Sequence, residues 1–135
     1  MENRKIKMSK EDANLLISSL GAPFDILIND KIDIKTQMGG LSFKPEVLAN
    51  GDISLKPIGL SAMAMPAILA VPSFKREIEN NECLDLADNL LNIRLSKLNL
   101  PKKLREKFNL PGNSHVKAKT IDLKKDVLEF EMVAK

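Results

Sequence analysis

Eighteen consecutive residues, Pro57 to Phe74 (PIGLSAMAMPAILAVPSF), carry no charge in a chain that is 29% Asp, Glu, Lys and Arg. Lys56 and Lys75 close the run at its two ends. Pro57, Gly59, Pro66 and Pro72 interrupt it, so it does not supply the roughly 20 unbroken apolar residues of a membrane-spanning helix. Two readings are left. In the first the run is a core crossover: a strand to Met65, a turn at Pro66, then a short buried helix. In the second its apolar and methionine side chains line a groove for an apolar ligand or touch a membrane.

The rest of the chain supplies a core for either reading. At 135 residues and 44% hydrophobic, it fits a single domain spanning 1–135 with no need of disulfides. Five Phe with no Trp or Tyr make that core aliphatic. The single cysteine, Cys83, excludes an internal disulfide and a multi-cysteine zinc site. Its acidic surroundings raise a thiol pKa, which points to a small buried hydrophobe.

Periodicity gives the elements. Arg4 to Met8 reads as a short strand. Ser9 reads as an N-cap with Asp12 three residues on, opening a helix over Lys10 to Leu20 that Gly21 and Pro23 end. Asp25 to Gln37 alternates, as one strand or as a hairpin turning at Asn29-Asp30. Gly39-Gly40 reads as a turn, and Leu41, Phe43, Pro45 and Val47 share a face, with Pro45 implying an edge or a bulge. Asn50-Gly51 between alternating runs marks a hairpin. Ser73 opens a helical turn to about Glu79. Leu84, Leu86 and Leu90 fit helix or strand, and Leu91 to Lys97 reads as a strand. Pro101 to Phe108 is a short basic helix with Pro101 at its first position. Val116 to Leu123 and Val127 to Val133 form a last hairpin, with Leu128, Phe130 and Met132 inward. The class is α+β: a long curved antiparallel sheet built from hairpins, wrapped around one or two helices.

Chemistry-bearing motifs are sparse. His115, the sole histidine, follows Ser114, but adjacent strand side chains point apart and no nucleophile elbow is present. Gly39-Gly40 lacks the lysine and strand–loop–helix context of a phosphate loop. The acids Glu77, Glu79, Glu82, Asp85 and Asp88 do not have the spacing of a calcium loop. No catalytic residue, metal site or cofactor is expected, and the chain reads as a non-enzyme. From Arg94 to Lys119 there are eight basic residues and one acid, Glu106. With aromatics at 4% and no helix-turn-helix, that stretch fits a solvated face or an anionic surface better than nucleic acid.

The segment LSFKPEVLANGDISLKPIGLSAM, Leu41 to Met63, resembles a strand–turn–strand portion of the YpmS-like bacterial proteins. LSKLNLPKKLREKFNLP and VKAKTIDLKKDVLEFEMVAK resemble the ending of that group and of the related LmeA-type proteins, in the pattern Ile121, Leu123, Asp126, Leu128, Phe130. The resemblance covers Asp30 to Lys135. It implies half of a tubular lipid-binding fold, and phospholipid or another apolar molecule as ligand. Family members commonly carry an N-terminal anchor or signal, which ENRKIKMSKEDAN does not match. As written the chain reads as cytoplasmic; a removed leader would make it extracytoplasmic and membrane-anchored.

The expected groove is lined by Ile58, Leu60, Met63, Met65, Ile68, Leu69 and Phe74. Lys102, Lys103, Arg105 and Lys107 would meet anionic headgroups or an anionic membrane surface. The alternative is an interaction module without ligand, a homodimer through the 57–74 run being its specific form.

Overall fold

The computed structural model describes residues 4–22, 24–87 and 90–133. Pro23 and Asp88, named above, lie outside the described residues. The strands form two antiparallel sheets rather than one, and neither closes into a barrel. The smaller has three strands, β1 (Arg4–Lys7), β9 (Val127–Val133) and β8 (His115–Asp122), in the order β1-β9-β8. The larger has six: β2 (Asp25–Ile28), β3 (Ile32–Thr36), β4 (Gly39–Val47), β5 (Ile53–Pro57), β6 (Leu84–Ala87) and β7 (Leu90–Ile93). Its spatial order is β2-β3-β4-β5-β7-β6. Four α-helices are described: α1 (Lys10–Ile17), α2 (Leu60–Leu69), α3 (Pro72–Glu79) and α4 (Lys102–Phe108).

The start of α1 is set by a capping box. Ser9 Oγ accepts from Asp12 N at 3.0 Å, and Asp12 Oδ2 accepts from Ser9 N at 3.1 Å. A 3₁₀ turn (Ser18–Leu20) tightens its end, and Gly21 leaves it at φ +64°. Asn14 then ties α1 to the edge strand. Its side chain donates to Ile28 O at 2.9 Å and accepts from Ile28 N at 2.7 Å, satisfying backbone groups at the open side of β2. The hairpin form of residues 25–36 prevails, with Ile28 opposite Ile32.

Three local features differ from the sequence pattern. Thr36 pairs with Gly39, so the β3–β4 turn falls on Gln37 and Met38, and Gly39-Gly40 open β4 instead. The Thr36 hydroxyl fixes this choice by donating to Gly39 O at 2.9 Å and accepting from Met38 N at 3.1 Å. β4 is an interior strand, although it holds Pro45. Ser42 O accepts from Ile58 N at 3.0 Å, so alternate residues Ser42, Lys44 and Glu46 face β5 and Pro45 faces β3. β3 has already ended there, since Ile32, its first residue, lies opposite Phe43. The missing N–H of Pro45 therefore costs no ladder bond. Finally, the strand read over Leu91 to Lys97 stops at Ile93, and a 3₁₀ turn (Leu95–Lys97) follows.

One hydrophobic core joins the layers. Phe43, Leu55, Leu91 and Ile93 of the larger sheet, Leu16 of α1, Leu104 of α4, and Val116 and Phe130 of the smaller sheet are all essentially inaccessible. The sheets meet at the β4–β5 turn, where Ala118 N donates to Gly51 O at 2.8 Å. Gly51 sits at φ +89°, and a Cβ built on it would lie 2.6 Å from Lys117 Cβ. The close approach of β8 thus requires a residue without a side chain.

Candidate functional site

The uncharged run does not form a strand to Met65; it turns into α2. Gly59, at φ +59°, takes the chain out of β5. Ser61 then completes the ladder with its side chain, its Oγ accepting from Ser42 N at 2.7 Å. The residues beyond are strong helix formers: Ala62, Met63, Ala64, Met65, Ala67 and Leu69. Pro66 lies inside the helix rather than at a turn. It deprives only the Ala62 carbonyl of its partner. Ala62 and Pro66 are both on the exposed face, so water reaches that carbonyl. Pro72 starts α3, with Val71 in the cap position in place of Ser73.

This geometry scatters the seven residues expected to line one groove. Met65, Ile68 and Phe74 are buried, the Phe74 ring lying 5.8 Å from that of Phe24. Leu69 is half-buried against the same core. Leu60 and Met63 face outward, 84% and 79% exposed. Ile58 lines a cleft.

The cleft has a volume of about 690 Å³ and is lined by Asp30, Lys31, Lys44, Pro45, Ile58, Ile121, Asp122, Leu123 and Lys124. That is within the roughly 300–1,000 Å³ of small-molecule sites. Four elements bring these residues together: the β2–β3 turn, β4, the exit of β5, and the end of β8 with its turn. Pro45, Ile58, Ile121 and Leu123 give it an apolar floor. Behind the floor the core is filled, with about 20 Å³ left between Pro45, Ile121, Leu123 and α1, room for about one water. On the rim, Asp30 is engaged by Lys10 at 3.1 Å and Lys31 approaches Asp33 at 3.9 Å. Asp122 Oδ1 accepts from Lys125 N at 3.1 Å. Lys44 and Lys124 make no ion pair among the described residues. Lys44 also stands directly across the β4–β5 ladder from Lys56, a like-charged pair that favours an anion between or near them.

The basic helix lies elsewhere, since α4 packs on α1 whereas α2 packs on β4, β5 and α3. Lys102 and Lys103 are exposed, Lys102 reaching Glu106 at 3.8 Å. Arg105 is half-buried. Lys107 is committed to structure: its Nζ is 2.9 and 3.0 Å from the two carboxylate oxygens of Asp12 and 5.5 Å from the Phe108 ring centre. Burial raises the pKa of Asp12. The hydrogen bonds from Lys107 and Ser9, with the charge of Lys107, outweigh it and hold the carboxyl below its ordinary value. Arg4 closes the C-terminal end of α4 by donating to the carbonyls of Phe108 and of Asn109, the latter at 3.0 Å.

Cys83 is buried, with Sγ 3.4 Å from Lys97 O. Burial first, then Glu82, pushes its thiol up against the smaller opposing effect of Arg94. Ser114 Oγ donates to Pro111 O at 2.6 Å, so its proton is directed into its own loop. Among the described residues no group of three or more His, Cys, Asp or Glu could hold a metal ion. Among them, too, no helix is long and apolar enough to cross a membrane.

Sequence reasoning missed Lys31, Lys44, Pro45, Ile121, Leu123 and Lys124 as site residues. The signal for Lys44 was available, because the Asn50-Gly51 hairpin fixes its register opposite Lys56. Ile121 and Leu123 join them only through the docking of the smaller sheet. No protein-family model, no curated protein and no solved structure matches the chain.

Proposed function

We propose that this protein binds an anionic amphiphile, a molecule of the phospholipid kind, with its apolar part on Pro45, Ile58, Ile121 and Leu123 and its charged head at Lys44 and Lys124. The role is binding without a catalytic step. One observation carries the reading: an apolar-floored cleft of about 690 Å³ has on its rim, beside Asp30 and Asp122, two lysines that make no ion pair among the described residues. An ammonium facing an apolar wall favours a ligand that is anionic at one end and apolar at the other. The resemblance of residues 41–63, 95–111 and 116–135 to the YpmS-like and LmeA-type proteins supports the same ligand class. So does a six-stranded antiparallel sheet with helices packed against it, the arrangement half of a tubular lipid-binding fold would give.

The test is titration of isotope-labelled protein with dihexanoyl phosphatidate below its micellar concentration. Amide shifts are expected at Lys44, Ile58 and Ile121 to Lys124, with Lys44→Glu/Lys124→Glu weakening the affinity about tenfold or more. Shifts confined to other surfaces, or an affinity indifferent to the charge reversal, would refute the assignment.

A further inference from the structure

We infer that the outward face of α2 is a docking surface for an anionic lipid bilayer. The inference rests on the cleft reading above for the identity of the partner. A helix on the surface of a globular protein normally turns charged and polar side chains to water. α2, LSAMAMPAIL, has none to turn. Its one hydroxyl residue, Ser61, is buried, and its exposed positions are Leu60, Ala62, Met63, Pro66 and Ala67. Leu60 and Met63 stand almost fully in solvent, more exposed than Leu27 at 55% and Met38 at 45%.

The size of the face argues against a second protein copy as its cover. Ten residues make a helix about 15 Å long, and a face about 10 Å wide gives about 150 Å². A stable dimer needs about 800 Å² from each partner. A bilayer needs no such area, because a few side chains entering the headgroup region suffice when cations flank them. The flanking charges have the right sign. No acidic residue lies between Asp52 and Glu77, while Lys56 precedes the helix and Lys75 and Arg76 follow it. All three cations are exposed, Lys75 sharing its charge with Glu79 at 3.8 Å. The face also begins close in sequence to the cleft: Ile58, part of the cleft floor, is two residues before Leu60.

The experiment is flotation with vesicles of phosphatidylcholine alone and of phosphatidylcholine with 30 mol% phosphatidylglycerol, on the full chain and on Leu60→Asp/Met63→Asp. The two side chains are solvated in the free protein, so their replacement leaves folding intact; far-UV circular dichroism checks this. The native chain is expected on the anionic vesicles, and the double variant should lose about thirtyfold or more in partitioning. A bimane label on Met63→Cys should shift to the blue on adding the anionic vesicles. Equal partitioning of native and double variant overturns the inference. So does a native dimer in sedimentation equilibrium that the double substitution dissolves without any vesicle binding. The short-chain phosphatidate titration separates the two proposals: cleft shifts that persist in the double variant, with vesicle binding unaffected, count against the docking face alone. Vesicle binding that depends on Leu60 and Met63 without cleft shifts counts against the cleft alone.

Discussion

Replacing Gly51 by Ala tests the junction of the two sheets. The new methyl carbon would stand 2.6 Å from Lys117 Cβ, 2.8 Å from its Cγ and 3.0 Å from its Cδ. Cβ is bonded to the backbone of β8, so relief requires β8 or the turn to move rather than a side chain to swing. Movement would strain the 2.8 Å hydrogen bond from Ala118 N to Gly51 O. Overpacking of this kind costs about 1–3 kcal/mol, and holding alanine at positive φ adds about 1–2 kcal/mol. The expected loss is therefore about 2–5 kcal/mol from a total stability on the order of 5–15 kcal/mol. The assay is urea unfolding followed by far-UV circular dichroism, since the chain has neither Trp nor Tyr to report by fluorescence. Gly21→Ala is the control: φ is +64° there and nothing lies within 4 Å of the built Cβ, so it carries the backbone strain alone. If the two variants lose equal stability, β8 does not approach the turn closely enough to exclude a side chain at Gly51.

The Asp12–Lys107 pair gives a signed pH dependence. Because folding lowers the Asp12 pKa, its stabilisation is complete above the unfolded value of about 3.9 and fades as pH falls through the folded one. Lys107→Met should cost about 1 kcal/mol at pH 7, discounted for the exposure of the lysine, and the difference from native should narrow below about pH 4 in urea melts. Met65→Ala should cost about 2–5 kcal/mol, because Met65 is 2% exposed, whereas Met63→Ala should change stability by less than about 0.5 kcal/mol. Equal costs at the two methionines would overturn the orientation of α2.

Local signals carried most of the fold. The Ser9–Asp12 box, the Asn50-Gly51 hairpin and the alternation of Val127–Val133 each encode their structure within a few residues, and each formed as read. The division into two sheets was not legible, because which hairpins share a ladder is settled by long-range packing. α2 was misread for a different reason. Pro66 reads as a break, but a proline on the water-facing side of a helix removes a single bond that solvent replaces. Composition pointed the other way, since alanine and methionine favour helix over strand. The site suffered from the same gap. A uniform apolar run has no amphipathic period from which to assign an inner and an outer face, so Met63 and Met65 looked alike. Lys107 looked like its neighbours because its partner, Asp12, lies 95 residues away in the chain.

The pairing of β1 with β9 imposes an order in time. Arg4 lies opposite Met132, so β1 has its ladder partner far along the chain, beyond every strand of the larger sheet. At roughly 5–20 residues per second, β1 leaves the ribosome many seconds before β9 exists. All six strands of the larger sheet fall between Asp25 and Ile93 and can assemble in that interval. Until β9 arrives, β1 lacks its ladder partner, whereas α1 can already pack on β2 of the larger sheet. A newly made chain halted at that stage would present an unpaired strand, a feature that chaperones bind and that misassembly exploits.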